Sequence, residues 1–407
     1  MVLTVSIVQY GKVETYRFTV VRCNSMKKRN IPVMYLITFF QGMVFYASIS
    51  TLYRLERGLT LSQYAIIDSI ALIMSVLLEV PWGMIADRIG YKKTFLIANR
   101  FYLISKFVFL NASGFVGFLL ERVFFALAVS GISGVDTSIL YLSCDGRESQ
   151  KVFGRYGAFG NAGVMISAGI FALFELSHSQ AALFTTLAYS CALAASVMLV
   201  EVKGEKQERG NIDFTGMIKS ILKDYRLLLF LLSGALISVC SWVIVVFLNQ
   251  GQYLANGATE RFIGLTFIIT SLADFLGVFS SRITDRFGDL KGGLLIILGM
   301  GVTAILLSFS QNMYLSLILI TLTDVLHSLY VPLESRLQSD HVSVTDRATM
   351  MSIYMMAIDL FSALPNIMMG LSGEKSIPVT FRWCGLLLVL SSLGYVLFVT
   401  GKKNKSE

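Results

Sequence analysis

Ionisable side chains interrupt several long apolar runs of this sequence. Six of them lie well inside such runs and could exchange protons or bind a charged solute: Asp68, Glu79, Asp274, Asp324, His327 and Asp359. A charge in an apolar environment is costly, so these residues are functional candidates by default. Asp324 and His327 are one helical turn apart, and histidine changes charge near neutral pH, which favours a role in proton exchange. A structural hydrogen bond between helices is the alternative.

A second, weaker group could line a cavity through polar or aromatic contacts: Gln41, Tyr46, Lys106, Arg122, Trp242 and Asn249. Aromatic residues at helical spacing more often pack than bind. Glu121 and Arg122 could instead pair with Lys106 or Asp68 as a structural cluster. Acids outnumber bases inside the apolar runs, and this surplus favours a cationic or zwitterionic solute, since an anion would meet like charge.

The overall composition defines the setting of these residues. Of the 407 residues 55% are hydrophobic and only 15% charged, whereas soluble domains carry about 25% charged residues. The five cysteines are far apart and the three histidines form no ligand pattern, so we expect no disulfide framework, no metal and no cofactor. No GxxxxGK[ST] motif occurs, so we expect no ATP hydrolysis. A polytopic membrane protein fits best.

Apolar runs of about 20 residues can each cross a bilayer as a helix. We count twelve, near 31–53, 62–86, 93–111, 114–142, 156–175, 179–201, 226–249, 260–281, 292–310, 312–333, 347–371 and 377–400. The sequence therefore predicts an all-α polytopic membrane protein with twelve transmembrane helices.

The basic residues indicate the orientation of these helices. With the N-terminus inside, twenty-three Lys and Arg residues fall on the cytoplasmic side, and the other side carries five: Arg54, Arg57, Arg261, Lys375 and Arg382. This bias follows the positive-inside rule. We expect a multi-pass protein of the cell membrane with both termini cytoplasmic. The net charge of +8 is then explained by topology, and no nucleic-acid partner is expected.

The segments outside the runs divide the chain. Residues 1–25 alternate apolar and polar residues, and we interpret them as an extension or a misplaced translation start. Residues 26–202 form a first six-helix bundle, 226–400 a second, and 401–407 a cytoplasmic tail. The linker 203–225 holds an amphipathic helix that we expect on the inner leaflet, with one apolar face: Phe214, Met217, Ile218, Ile221 and Leu222. The alternative is the start of the seventh membrane helix.

One polar motif occurs twice. GMIADRIGYKK, at 83–93, follows the second run, and SRITDRFGDLKG, at 281–292, follows the eighth. Asp87 and Asp285 are 285 − 87 = 198 residues apart. Two pseudo-symmetric six-helix bundles of about 200 residues are typical of secondary transporters.

The motif, the helix number and the repeat resemble the major facilitator superfamily over residues 31–400, and Glu79-Val-Pro81 resembles its bacterial members. The resemblance implies a gating role for two sets of residues: Gly83, Asp87, Arg88, Gly90 and Lys92, and Asp285, Arg286 and Gly288. Tyr91 replaces a usual basic residue and Ser281 a usual glycine. Asp87 is expected to face the start of the eleventh helix at 345–348. Such a contact stabilises a carboxylate at a helix N-terminus and would act as a latch while the cytoplasmic side is closed.

The resemblance implies secondary active transport by alternating access. Proton-coupled efflux of a small cationic or amphipathic compound by antiport is our first interpretation, and nutrient uptake by symport or facilitated diffusion is the second. The fifth run contains Gly157, Gly160 and Gly163 but lacks the proline typical of drug antiporters, which weakens the first. A non-transporting receptor is a third possibility. A membrane-embedded enzyme such as an acyltransferase is not expected, because no nucleophile or histidine–acid motif occurs at a membrane surface. The expected partners are the bilayer, a small-molecule substrate and protons or another ion, and we expect a monomer.

Overall fold

The computed structural model describes residues 28–144, 149–202, 214–342 and 347–403. These ranges contain helices and no strand. The first bundle consists of α1 (Asn30–Gly42), α2 (Ser50–Glu56), α3 (Leu61–Ile89), α4 (Tyr91–Asn111), α5 (Gly114–Ile132), α6 (Val135–Ser143), α7 (Ser149–Phe174) and α8 (His178–Val197). A 3-10 turn, Ala47–Ile49, connects α1 to α2, so that both form the first membrane crossing.

The linker helix and the second bundle follow. They comprise α9 (Phe214–Lys223), α10 (Tyr225–Trp242), α11 (Asn249–Ala255), α12 (Glu260–Ala273), α13 (Ser280–Leu307), α14 (Met313–Asp340), α15 (Arg347–Lys375) and α16 (Ile377–Lys403). A π-helical turn, Val243–Phe247, joins α10 to α11, and a 3-10 segment, Asp274–Phe279, joins α12 to α13. We call the end of the molecule where α1 begins and α16 ends the terminus side, and the other end the opposite side.

The helices confirm the predicted all-α polytopic membrane fold. Ten spans in the described residues are long and apolar enough to cross a membrane, and one of them, Glu260–Leu307, has 48 residues. That span bends back at Gly288, where the backbone is not helical. Helix α4 is not among the ten, because Arg100 and Lys106 lower its hydropathy. The arrangement is consistent with twelve crossings.

Both copies of the repeated motif turn at a glycine with positive φ. Gly90 has φ 95° and Gly288 has φ 73°, a region that side-chain-bearing residues rarely adopt. On the opposite side, Gly58 (φ 87°) and Gly257 (φ 80°) form a second matching pair. The same backbone turn at equivalent places explains why the two glycine pairs occur in both halves of the sequence.

Helix starts on the opposite side are capped by side chains. Thr60 caps α3: the Gln63 backbone N–H donates to its hydroxyl (3.2 Å), and its own N–H donates to the Gln63 side chain (3.1 Å). Thr259 caps α12 in the second bundle by accepting from the Phe262 N–H at 3.3 Å. Each cap satisfies backbone donors that a helix leaves unpaired.

The predicted linker helix is present as α9. Ile221 is buried, whereas Leu222 is 62% exposed, so only part of the predicted apolar face packs against the rest of the protein. Ile221 packs into the core of the second bundle. The side chains of Phe214, Met217 and Ile218 lie outside the described residues, as do residues 1–27 and the tail from 404 on.

Candidate substrate and gating site

Hydrogen bonds join the two bundles on the opposite side and near mid-membrane. The Thr51 N–H donates to Gln250 Oε1 at 3.1 Å. Deeper in the membrane, the Ser69 hydroxyl donates to the Ala363 carbonyl oxygen at 2.9 Å. The Asn366 amide donates to the Ser69 hydroxyl at 3.1 Å. Helices α3 and α15 are therefore packed together along their opposite-side halves.

The bundles separate toward the terminus side. The connecting segment Asp274–Phe279 contains no buried residue. A Cβ added at Gly83 would meet no described atom within 4 Å. The described hydrogen bonds between the bundles thus lie on the opposite side and near mid-membrane, and the described residues are less closely packed toward the terminus side.

Buried charges from three helices meet in the first bundle. Arg122 of α5 forms an ion pair with Asp68 of α3 at 3.2 Å and lies 3.7 Å from the Glu121 carboxylate. Its guanidinium also donates to the Tyr64 hydroxyl at 3.4 Å. Asp68 and Arg122 are therefore one unit, as one of the sequence alternatives suggested. Because both are partly exposed, they can contact a solute.

Arg54 extends this unit, although the sequence placed it in an outer loop. It lies at the end of α2, is only 3% exposed, and pairs with Glu121 at 3.5 Å. Its guanidinium lies over the rings of Tyr64 (4.6 Å) and Phe109 (4.9 Å). The first membrane crossing continues past residue 53, where its apolar run ends, because these rings and Glu121 shield the charge.

Lys106 of α4 lies in an aromatic cage beside this unit. Its ammonium donates to the Tyr46 hydroxyl at 3.1 Å and lies 4.8–5.2 Å from three ring centroids, those of Tyr102, Phe125 and Tyr189. Cation–π attraction of this kind is worth about 2 kcal/mol or more when desolvated. Among the described residues Lys106 has no acidic partner within ion-pair distance. The cluster thus has three bases and two acids, whereas the apolar runs of the whole sequence together contain more acids than bases.

The second bundle has acidic residues near the space between the bundles. Asp324 of α14 is buried and lies within electrostatic range of Asp274, which is exposed. No hydrogen bond joins Asp324 to His327 in this described helix, and a role of the two residues in proton exchange stays a prediction. One helical turn brings their Cα atoms close, but the side chains have different environments, since His327 is only half-buried.

Two further acids lie on facing helices of the two bundles. Glu79 of α3 and Asp359 of α15 are both half-buried and within electrostatic range of each other. The structure therefore brings them together. Asp136 of α6, another acid of the first bundle, accepts a hydrogen bond from Tyr156 at 3.2 Å.

The remaining cavity candidates make contacts within the protein. Gln41 donates to Asn99 Oδ1 at 2.8 Å. Trp242 stacks on Phe247 with centroids 5.0 Å apart. Asn249 is buried and its side-chain oxygen accepts from the Gln250 N–H at 2.7 Å. These contacts are packing interactions in the present conformation.

The gating residues of the first copy lie at the terminus side. Gly83, Asp87 and Arg88 are exposed. The Lys92 N–H donates to Glu201 Oε1 at 3.3 Å, and a Cβ at Gly90 would lie 2.8–3.0 Å from the same carboxylate. Because Gly90 has no side chain, the Glu201 carboxylate can approach the N-terminus of α4.

The segment that Asp87 is predicted to contact, 345–348, lies mostly outside the described residues. Residues 343–346 and the side chains of 347 and 348 lie outside the described residues. In the second copy, Asp285 and Arg286 are exposed. The neighbouring Asp289 forms an ion pair with Arg336.

Sequence reasoning missed a set of charged contacts on the opposite side. His178, the first residue of α8, contacts Glu56 through Nδ1 and Glu260 of the second bundle through Nε2, the latter at 3.1 Å. Arg261 pairs with Glu175 at 3.4 Å. From the sequence these residues resemble ordinary loop charges, and only the packing of α7 against α12 reveals that they connect the bundles.

Comparisons with protein families and with solved structures both lead to the same superfamily. The family model of the Major Facilitator Superfamily matches residues 33–254 and 230–407. No curated protein matches the chain. A mutant of the nucleoside transporter NupG superposes with a TM-score of 0.79 at 14% identity, over 91% of this chain and 100% of that one.

Other solved structures share the fold. A D-xylose–proton symporter has a TM-score of 0.67 at 14% identity, covering 92% of this chain and 96% of that one. A bacterial homologue of the human lysosomal transporter Spinster, in an inward-facing and unoccupied conformation, has a TM-score of 0.68 at 16% identity, covering 92% and 96%. At these identities the likeness concerns the fold.

Proposed function

Since the chain belongs to the major facilitator superfamily and is a multi-pass membrane transporter rather than an enzyme, we propose that it imports a small zwitterionic organic solute across the cell membrane together with protons. The proposed sidedness follows from the basic residues. The terminus side is the cytoplasmic side, and the looser packing there is consistent with an inward-facing conformation.

The unequal charge of two clusters, one in each bundle, is the observation that supports a zwitterion. The cluster around Arg122 in the first bundle contributes three bases against two acids, and its Arg122 and Asp68 side chains are partly exposed. The second contributes Asp274 and Asp324, which have no basic partner within ion-pair distance among the described residues. The carboxylate of a zwitterionic solute would pair with the bases of the first bundle, and its amine would pair with the acids of the second. In a low dielectric both attractions are strengthened.

Aromatic rings on the first bundle suit the organic part of such a solute. Tyr102 and Phe125 pack edge to face with centroids 5.6 Å apart, and both are half-buried. Sites for small molecules are mostly apolar with a few placed polar groups. The cage around Lys106 thus combines an apolar surface with an adjacent positive charge.

Efflux of a cationic or amphipathic compound by proton antiport is the second candidate. The acidic pair Asp324 and Asp274 supports it, since these groups would attract a cation. If the pair binds the amine of a zwitterion instead, removal of the bases of the first bundle should abolish transport. If it binds a simple cation, that removal should have little effect.

The test is transport in proteoliposomes that contain a pH-sensitive dye. Amino acids and short peptides, organic cations and neutral sugars or nucleosides are each added outside under an imposed pH gradient. Proton movement with a zwitterion, lost in Arg122→Gln but kept in the exposed control Arg261→Gln, is the expected result. Movement driven by cations only, unchanged in Arg122→Gln, would favour efflux. Binding without any movement would identify a receptor.

Proton coupling is tested in the same vesicles. Asp68→Asn and Asp324→Asn each remove one proton acceptor while keeping the size of the side chain. If both variants transport like the parent protein with unchanged pH dependence, neither acid couples protons to the solute. We expect at least one of them to transport only down the gradient of the solute.

A further inference from the structure

Three polar side chains on α14 lie on one stripe and are buried. Tyr330, Glu334 and Gln338 follow one another at four-residue spacing, which places them on one face of the helix. They are 0%, 8% and 1% exposed. Tyr330 Oη, Glu334 Oε1 and Gln338 Nε2 make no hydrogen bond within the described residues. Since buried polar atoms are nearly always hydrogen-bonded, three consecutive exceptions require a physical explanation.

The Glu334 carboxyl occupies a notch between α10 and α15. A Cβ added at Gly234 of α10 would fall on Glu334 Oε1, and it would lie 3.6 Å from the Ile358 side chain of α15. Oxygen Oε1 thus lies against a bare glycine, and it accepts no hydrogen bond within the described residues. Only the absence of a side chain at Gly234 lets the carboxyl lie there.

Among the described residues no basic side chain lies within ion-pair distance of Glu334. The ionisable groups on the surrounding helices include Tyr225 and Arg226 on α10, Arg286, Asp289 and Lys291 on α13, Tyr354 and Asp359 on α15, and Arg382 and Tyr395 on α16. Arg336, on α14 itself, pairs with Asp289. The Tyr395 hydroxyl donates to the Asp289 carbonyl oxygen at 2.6 Å, and Arg226 donates to the Tyr225 hydroxyl at 3.1 Å. Ion pairs to Glu334 are absent among the described residues.

An ionised carboxylate in such a notch would lack both a counter-charge and a donor. Burying a charge without either is far more costly than burying the neutral acid, so the group takes up a proton instead. The two donors that an ionised Glu334 would need are one turn away on each side, in Tyr330 and Gln338. We propose that Glu334 is a proton-binding site of the second bundle, with Tyr330 and Gln338 as the donors that serve its ionised form.

The position of Glu334 gives the route of the proton. Glu334 precedes the end of α14 at Asp340 by six residues, which is about 9 Å along a helix. The proton therefore comes from water on the terminus side: hydronium transfers it to the carboxylate and is left as water. Binding neutralises Glu334 and lets it pack against Gly234. Release requires the carboxylate to leave the notch toward Tyr330 and Gln338, which loosens the contact of α14 with α10.

This site goes beyond the proposed function, because it needs neither the solute nor transport. It is also separate from Asp324, which lies ten residues earlier on the same helix, 334 − 324 = 10.

Infrared difference spectroscopy of the full-length protein in lipid nanodiscs tests the proposal. The carbonyl stretch of a protonated carboxylic acid is recorded during a pH titration with choline chloride as the only salt. We expect a band from a buried protonated acid that disappears at alkaline pH and is missing in Glu334→Gln. The exposed control Glu175→Gln should retain it. In Tyr330→Phe the band should persist to higher pH, since the ionised form has lost a donor.

Three results would overturn the proposal. A spectrum of Glu334→Gln with all bands of the parent protein would show that Glu334 is ionised at every pH tested. Loss of the Glu334 band on replacing choline with sodium at constant pH would assign the site to a metal cation. If Glu334→Gln fails to fold, Tyr330→Phe alone still tests the proposal. A carbonyl band that titrates as in the parent protein would exclude Tyr330 as a donor to ionised Glu334.

Discussion

The Glu374 carboxylate accepts a hydrogen bond of 3.1 Å from the backbone N–H of Ser62. Glu374 is at the end of α15 in the second bundle, and Ser62 is in the first turn of α3 in the first bundle. A carboxylate therefore meets a helix N-terminus across the bundles on the opposite side. The contact proposed for Asp87 is of the same kind. On the terminus side, a carboxylate near the end of α3 would meet the N-terminus of α15.

We expect Glu374→Gln to loosen the opposite side. A carboxylate at an exposed helix N-terminus is worth about 0.3–1 kcal/mol, so the open form should gain up to about fivefold in population. The measurement is the labelling rate of Ser69→Cys by an impermeant maleimide, in a protein whose native cysteines are replaced. Ser69 is buried between the bundles. Lys375→Gln is the control, and equal rates in both variants would contradict the assignment.

The contacts of His178 should help to keep the opposite side closed. Its ring contacts Glu56 of the first bundle and Glu260 of the second, so its removal breaks a contact between the bundles. Labelling of Ser69→Cys should therefore be faster in His178→Ala than in the parent protein. His327→Ala, which removes a histidine from α14, should leave the rate unchanged. An unchanged rate in His178→Ala would refute the idea.

Glu121→Gln should strongly destabilise the protein. It leaves Arg54 buried without its acid, and breaking a buried ion pair in this way costs about 3–5 kcal/mol. The exposed pair of Glu175 with Arg261 provides the control, since Glu175→Gln should cost less than about 1 kcal/mol. Thermal unfolding in detergent measures both. Similar unfolding temperatures for the two variants would mean that Arg54 does not depend on Glu121.

Gly90→Ala should be destabilising, and Gly83→Ala should not. Gly90 combines φ 95° with close contact to Glu201, and a strained backbone of this type costs about 1–3 kcal/mol. Gly83 has open space around it in this conformation. Unfolding in detergent compares the two substitutions. A larger loss for Gly83→Ala would indicate that the present conformation is not the stable one in detergent.

Asp87→Ala should favour the conformation that is open to the terminus side. If Asp87 stabilises the closed form by about 1.4 kcal/mol, its loss changes the population ratio about tenfold. An engineered cysteine at Asn161, exposed in α7, reports the change as faster labelling from that side. Lys93→Gln, an exposed neighbour, should label like the parent protein. A labelling rate unaffected by Asp87→Ala would remove the latch.

Local signals allowed the fold to be predicted from the sequence. Apolar runs of membrane length determine the helices, and glycines that must adopt positive φ, such as Gly90 and Gly288, determine the turns. Both signals can be recognised from residues that are close together in the sequence. The same is true of the motif at 83–93, which indicated the family.

The candidate site was less predictable, because its contacts depend on which helices are neighbours. Asp68 and Arg122 stood out as charges in apolar runs, and the structure brings them together. Arg54 looked like a loop residue, because charges usually end an apolar run. Glu334 was overlooked for a similar reason: it follows Pro332, directly after the end of the predicted tenth run, and resembled a residue in cytoplasmic water.

The three bases and two acids of the cluster around Arg122 also have an electrical consequence. This cluster carries a net positive charge inside the membrane, where the transmembrane potential falls. When the first bundle rocks against the second, this charge moves through part of that field. One elementary charge crossing the full field gains or loses about 2.3 kcal/mol per 100 mV. The resting voltage of the cell therefore acts directly on the conformational equilibrium, even when no solute is bound.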